Sequence, residues 1–542
     1  MRLEKIEILK YKNFENVIID FEKNNSFPDI FSIASKNGGG KSTLLQFIFI
    51  LLHCFMDNSK KRYIKNLLDV FLDTNTELEF VKFIISHNDE KYYLNFKIFP
   101  SKSDNYNFDL YLDIEDTKKR IHEFKEKFSE YQRVIRLQQE LQDIDRISPV
   151  IEREIRYLRK FINSEQENYL YHNIKNKNDL DSYKKLVKLI MSNNLISEQT
   201  LEDLDLIYDD LQDDLTILVE DLTLQKLIYI THLNNNSVVL LETQMPQELL
   251  TELSNKIFLT APNSQIFLFL SNDEKHNIFN EFSSNVPKYY ESYFHSVKQA
   301  KSILNGFFTY DFASTELILQ SFKKASEEDL KAKRKTGKYG SKYDELTDEL
   351  KDFLDRKEIT ENETGDRIIF KSKADGKELS PEDLSHGELK KLGIYIWLKY
   401  IVENNSIVLM DEVDIALHPK WQYELIKDLT KWSENTEFLL ATHSPQILSS
   451  TYYKNIIKLD NAKVKRYKKP PLDRDINAII VEVMESESFP EDLLELHKRY
   501  RKLINNGEKD TNNAKKLKEE ILEYESENSS FFQEINFDLE LI

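Results

Sequence analysis

The segment IASKNGGGKSTLLQF, residues 33–47, decides how the chain is read. A phosphate-binding loop has the spacing G-x-x-x-x-G-K-[ST] between a strand and a helix. Gly40, Lys41 and Ser42 match its end, while Ser35 stands at its first glycine position. The residues before it, DIFSIAS, read as a buried strand, and KSTLLQFIFILLHCFM reads as a helix. That is the context the motif needs. The phosphate-facing stretch runs through Lys36, Asn37, Gly38, Gly39, Gly40, Lys41, Ser42 and Thr43. Its glycines let backbone N–H groups approach phosphate oxygens closely, and the helix N-terminus adds a favourable field. Lys41 would neutralise phosphate charge and the Ser42 hydroxyl would ligate Mg²⁺. A tight strand-to-helix turn without ligand is the alternative.

The 542 residues suffice for more than one compact unit. A formal charge of −19 excludes global attraction to nucleic acid or anionic membranes, so any such contact needs a local basic patch. The single cysteine, Cys54, excludes an intrachain disulfide and a cysteine-based zinc site. The start, MRLEKIEILKYKNF, has no apolar signal core, and LLQFIFILLHCFM is too short for a membrane span. A cytoplasmic protein is expected.

Six regions follow from the texture of the chain. Residues 1–113 read as the first half of an α/β domain, with LEKIEILKYKNFENVIIDFE as two strands around Asn13 and 78–99 as a hairpin. Residues 114–225 are charged, glycine-poor and helical in period, which predicts a helical insertion. Strand character returns in 226–275. Residues 276–365 read as a helical, partly basic subdomain. Residues 366–470 complete the α/β domain, and 471–542 form a helical tail.

Three later motifs carry chemistry. SIVLMDE ends an apolar strand in Asp411 and Glu412, placed to hold Mg²⁺ and to polarise an attacking water respectively. LLATHSP ends another strand in His443, within reach of a γ-phosphate or of that water. LSHGELKKLGIY opens a helix at Ser385, whose free N–H groups make a second anion site. Solvated acids, a locally bonded histidine and an ordinary N-cap are the plain alternatives.

Taken in order, these motifs resemble the ATP-binding-cassette head of the SMC, Rad50 and RecF-like ATPases, in which an insertion splits the head. The resemblance implies an α/β fold with a phosphate-loop core, ATP and Mg²⁺ as ligands, and a head-to-head homodimer. Each ATP would lie between the loop of one subunit and Ser385 and Gly387 of the other. Glu412 and His443 would be catalytic, and Ser42, Asp411 and a Q-loop glutamine, Gln265, would sit around the metal. Ser35, His386, Glu388 and His418 depart from the pattern.

The segments LSHGELKKLGIYIWLKY, IVLMDEVDIALHPKWQYELI, FLLATHSPQIL, TGKYGSKYDEL, TAPNSQIFLFL and RDINAIIVEVM are similar to the PtuA-like ATPases of Septu and retron anti-phage systems. That likeness implies a defence role beside a separate small HNH nuclease, PtuB-like. In a retron it also implies a reverse transcriptase with its msDNA. A RecF- or Rad50-like repair ATPase and an OLD-like ATPase-nuclease are the alternatives. No strand-delivered acidic site for a nuclease is legible after His443, and Cys54 alone excludes a zinc hook. The basic stretches KAKRKTGKYGSKY (331–343) and KVKRYKK (463–469) offer phosphate contacts, with Tyr339 and Tyr343 available for base stacking in the first.

Overall fold

The computed structural model describes residues 1–23, 27–72, 76–102, 226–262, 298–310, 313–351, 353–361, 368–379, 383–433, 435–460, 463–467, 474–487 and 489–540, with a few single residues besides. The insertion expected at 114–225 and the candidate Gln265 lie outside the described residues, apart from Leu222. The chain divides into two compact units. The first comprises 1–67, 81–92 and 245–542, the second 68–80 and 93–244.

In the first unit, β1 (Arg2–Tyr11) and β2 (Phe14–Asp20) form an antiparallel pair, with Tyr11 opposite Phe14. β3 (Ile30–Ser35) is followed by the glycine loop, α1 (Lys41–Cys54) and α2 (Lys61–Leu67). β4 (Leu78–His87) pairs antiparallel with β1. Asn88 and Asp89, with φ of 50° and 67°, turn the chain into β5 (Glu90–Pro100). Positive φ at both turn residues matches the twist of antiparallel strands. The second unit contains most of β5 with β6 (Leu227–His232) and β7 (Ser237–Thr243), and β7 pairs antiparallel with both.

The first unit resumes with α3 (Gln247–Asn255), β8 (Ile257–Ala261) and β9 (Phe307–Thr309). The long helix α4 (Ala313–Thr336) and α5 (Lys342–Lys351) follow. A small antiparallel sheet, β10 (Lys357–Glu361), β11 (Ile368–Ser372) and β12 (Glu378–Leu379), leads to α6 (His386–Tyr400). β13 (Ile407–Asp411), α7 (Pro419–Trp432), β14 (Glu437–Ala441), α8 (Pro445–Ser450), β15 (Ile456–Asp460) and β16 (Lys463–Arg466) complete the central layer.

The seven-stranded sheet has the order β16-β15-β3-β14-β13-β8-β9. All neighbours run parallel except the edge strand β16. Buried parallel strands read as continuous apolar runs, as β13 and β14 do, because both faces are covered. α1 is apolar around most of its circumference for the same reason, and it is buried from Leu44 to Cys54. It packs on β3, β8, β13 and β14, and its Phe47 ring stacks on Tyr11 of β1 at 4.2 Å. This is an α/β fold built on a largely parallel sheet, with the glycine loop at its centre.

Residues 474–484 do not stand apart from the sheet. A short helix, Ile476–Ala478, runs into a π turn, Ile479–Val483. Ile479 and Val483 pack on Ala34, Leu448 and Ile456, behind the loop-bearing strand. Beyond them, α9 (Glu491–Asn505), α10 (Asn512–Leu522) and α11 (Ser530–Glu540) close on a core of their own around Tyr500, Ile504, Leu517, Ile521 and Phe532.

Candidate active site

The strand order brings three motifs to one edge. In parallel α/β sheets ligands bind beyond the C-terminal ends of the strands. β14 lies between β3 and β13, with Ala441 level with both Ile33 and Asp411. The glycine loop, His443 and the Asp411–Glu412 pair therefore leave the sheet side by side.

The glycine loop closes tightly. Gly40 caps α1 with φ 96°, a left-handed conformation open to glycine, and the Phe14 ring lies against it. A Cβ on Gly39 would stand 2.5 Å from Ser35 Cβ. The Ser35 hydroxyl, at the position where glycine is usual, donates to Lys36 O at 2.7 Å and accepts from Lys41 Nζ at 2.9 Å. Lys41 Nζ also lies 2.7 Å from His443 Nε2. An ammonium has only protons to give, so Nε2 accepts and the ring proton sits on Nδ1. Burial, then the Lys41 charge, holds the His443 pKa below its usual value. Burial also lowers that of Lys41, opposed by the charges of Asp411, Asp414 and Glu412.

Asp411 is buried at the end of β13, and neither carboxylate oxygen has a hydrogen-bond partner of good geometry. Burial raises its pKa to about 6, and the nearby Ser42 hydroxyl partly offsets that. An orphaned carboxylate beside a hydroxyl is a set of hard oxygen donors, and it fits Mg²⁺. Glu412 follows at φ 50°, a strained turn for a non-glycine residue. Its N–H bonds Ala441 O at 3.1 Å, and its side chain stays partly exposed.

The acidic loop after β13 is tied down from two sides. Towards β14, Thr442 Oγ1 donates to Asp414 Oδ1 at 2.7 Å, and Gln422 joins Asp414 O to Ser444 Oγ. Towards α6, the buried Lys390 ammonium donates to Glu412 O at 3.0 Å and Ile415 O at 2.8 Å. It also sits 3.8 Å over the Tyr310 ring. A Cβ on Gly387 would meet Ala416 O at 2.4 Å, so only glycine lets the first turn of α6 lie on this loop.

Ser385 caps α6 in a reciprocal box. Its hydroxyl accepts from Glu388 N at 3.3 Å, and Glu388 Oε2 accepts from Ser385 N at 2.8 Å. Lys357 adds an ion pair to Glu388 at 2.6 Å. Glu388 thus has a structural reason to stand where the family pattern has glutamine. His418 caps α7 through Nδ1, which accepts from Lys420 N at 3.2 Å. Asp414, Thr442, Gln422 and Lys390 belong to the site and escape sequence reading, because no motif spacing marks them.

These elements set a glycine loop, an acidic strand end and a histidine around one site. A family model described as "AAA domain, putative AbiEii toxin, Type IV TA system" matches residues 246–449. The chain is 30% identical over 185 residues to the retron Vc95 probable ATPase of Vibrio cholerae serotype O1 biovar El Tor, covering 30% of this chain and 35% of that protein. It is 39% identical over 69 residues to the retron Ec83 probable ATPase of Escherichia coli, covering 13% and 12%. To the Septu protein PtuA of Bacillus mycoides (strain KBAB4) it is 26% identical over 191 residues, covering 32% and 26%. The chain therefore spans about a third or less of the length of the curated relatives it matches, and over those stretches it is similar to the PtuA and retron proteins. Among solved structures, the Smc head domain of Pyrococcus furiosus overlaps with TM-score 0.28 at 11% identity, covering 86% of this chain and 95% of that one. The SMC head domain of Thermotoga maritima gives 0.31 at 11%, covering 86% and 100%. At such scores the fold rests on the strand order and the loop.

Proposed function

We propose that the chain binds ATP with Mg²⁺ and hydrolyses it in a head-to-head homodimer, as the switch of an anti-phage system that controls a separate HNH nuclease. The observation that carries this reading is the buried, unpartnered Asp411 beside Ser42, Lys41, Glu412 and His443. The glycine-loop amides and Lys41 hold the phosphates, and Asp411 with Ser42 holds the metal. Mg²⁺ held by Asp411 and Ser42 would supply neutralisation of the phosphate charge. Glu412 orients the attacking water and takes its proton. His443, neutral and already aligned with Lys41, keeps that ammonium pointed at the phosphate site.

The defence role and the nuclease partner are what the resemblance of the sequence motifs to PtuA-like ATPases implies; in a retron setting a reverse transcriptase and its msDNA would join the complex. The dimer comes from Ser385, His386 and the free N–H groups of α6, which lie exposed at a helix N-terminus. There they would contact the ATP held by a second copy. The test is ATP hydrolysis with and without Mg²⁺, together with sizing in each nucleotide state and co-purification with a co-expressed PtuB-like HNH nuclease. A monomer that binds no ATP overturns the reading.

A further inference from the structure

The two basic stretches of the sequence differ in how the fold uses them. In the second, Lys465 pairs with Asp460 at 3.0 Å and with Glu485 at 3.7 Å. Arg466 donates to Lys454 O at 2.9 Å, and Tyr467 to Val483 O at 3.2 Å. Lys465 and Arg466 are thus both engaged within the fold.

The first stretch is left open. Lys331, Lys333, Arg334, Lys335 and Lys338 are exposed, and none has a carboxylate partner among the described residues. Their neighbours on this acidic chain are paired: Lys342 with Glu345 at 2.8 Å, Lys399 with Glu349 at 2.9 Å. At 100° per residue, Lys331, Arg334 and Lys335 share the solvent face of the last turns of α4, and Lys338 continues it into the turn.

The turn is built rather than loose. Gly337 ends α4 at φ 80°, with its N–H on Lys333 O at 2.8 Å. The buried Asp329 accepts from Lys342 N at 2.8 Å and from Tyr343 N at 2.9 Å, fixing the start of α5. A Cβ on Gly340 would meet Asp329 Oδ1 at 2.3 Å, so the chain passes close over this anchor. Tyr343 is spent on packing, its ring edge-on to Phe322 at 5.4 Å. Tyr339 is 65% exposed, and Lys333 Nζ sits 3.8 Å from its ring centroid.

We propose that the α4–α5 turn is a contact site for single-stranded nucleic acid. The unpaired cations take the phosphates and Tyr339 stacks on a base. Unneutralised cations would suit any polyanion; the exposed aromatic among them favours a nucleic acid strand over an acidic protein surface, because stacking needs a base. The site is independent of the ATP chemistry.

The experiment titrates the full chain with labelled single-stranded DNA and single-stranded RNA of about 20 nucleotides, and a duplex of the same length, over about 50–200 mM salt. Single strands should bind with a log–log salt slope of about −0.7 per phosphate contacted. The variant K331E/R334E/K335E should flatten that slope by about two contacts and weaken binding more than tenfold. Tyr339→Ala should weaken it about tenfold with the slope unchanged. The DNA and RNA arms identify which strand is preferred. An unchanged melting temperature shows that the exposed substitutions leave the fold intact. Wild-type protein that binds neither strand overturns the proposal. So does a triple variant with the original slope, a duplex that binds as tightly as a strand while Tyr339→Ala is silent, or polyglutamate that competes as well as unlabelled strand.

Discussion

Gly39 and Ser35 are mutually exclusive in size: a methyl group on Gly39 would lie 2.5 Å from Ser35 Cβ and 2.6 Å from its Oγ. The serine at the first glycine position and the glycine four residues later make one unit. Gly39→Ala should displace the loop and weaken ATP binding at least about tenfold, a modest fraction of what a misplaced phosphate contact costs. Ser35→Gly should cost little, and the double variant should recover most of the loss. Additive effects in that cycle, read by nucleotide titration, would separate the two positions.

Lys41→Ala should remove most ATP affinity, since the same ammonium serves Ser35 and His443 before any phosphate arrives. Glu412→Gln should keep ATP affinity while lowering turnover by about 10²-fold or more, the usual worth of a general base. Equilibrium binding and steady-state hydrolysis, measured side by side, distinguish the pair. Normal turnover in the glutamine variant would take Glu412 out of the chemistry.

Lys390 tests whether α6 sets the geometry of Glu412. Lys390→Met leaves the carbonyls of Glu412 and Ile415 without their buried donor. The expected result is a kcat lowered about tenfold or more with KM for ATP little changed, and partial rescue by arginine. A purely structural role would lower melting temperature without that split.

Gly387→Ala should cost stability of about 1–3 kcal/mol, because the obstruction is the Ala416 carbonyl, a backbone atom that cannot rotate away. Thermal unfolding reads this directly. A neutral substitution would mean that α6 slides off the acidic loop freely.

Glu437 gives a pH signature far from ATP. It is buried at the start of β14, accepts from Leu3 N at 2.7 Å, and burial raises its pKa from 4.5 to about 8 despite Arg2. The folded chain therefore holds a proton that the unfolded chain releases above about 4.5. Stability from this group is present below that value and falls as pH rises to about 8, by at most about 1.4 kcal/mol per pH unit. Glu437→Gln should flatten the melting temperature between pH 5 and 8, about the range of the shift. An unchanged slope would place the pH dependence elsewhere.

The legible parts of this chain were those in which one short stretch contains its own reason. The glycine loop, the apolar strands ending in Asp411 and near His443, and the helix start at Ser385 are local patterns, and each stands where the sequence places it. The strand β9 was hidden in a region read as helical, since three residues carry too little period. Phe14 on Gly40 and Lys390 under the acidic loop are pairings between separated segments, which no short motif displays. The roles of Ser385 and Gly387 towards a second copy stay with experiment, as the fold gives both a task within one chain.

The place of β3 in the sheet has a consequence in time. Its two neighbours are β14 and β15, and Ser32 bonds Thr451 across 419 positions of sequence. During synthesis at about 5–20 residues per second, β3 emerges and then waits roughly 20–80 seconds for either edge to be covered. Until β14 and β15 leave the ribosome, the glycine loop's strand has neither neighbour. A product cut short before β14 is thus an exposed apolar strand, which the cell meets as a substrate for its chaperones and proteases.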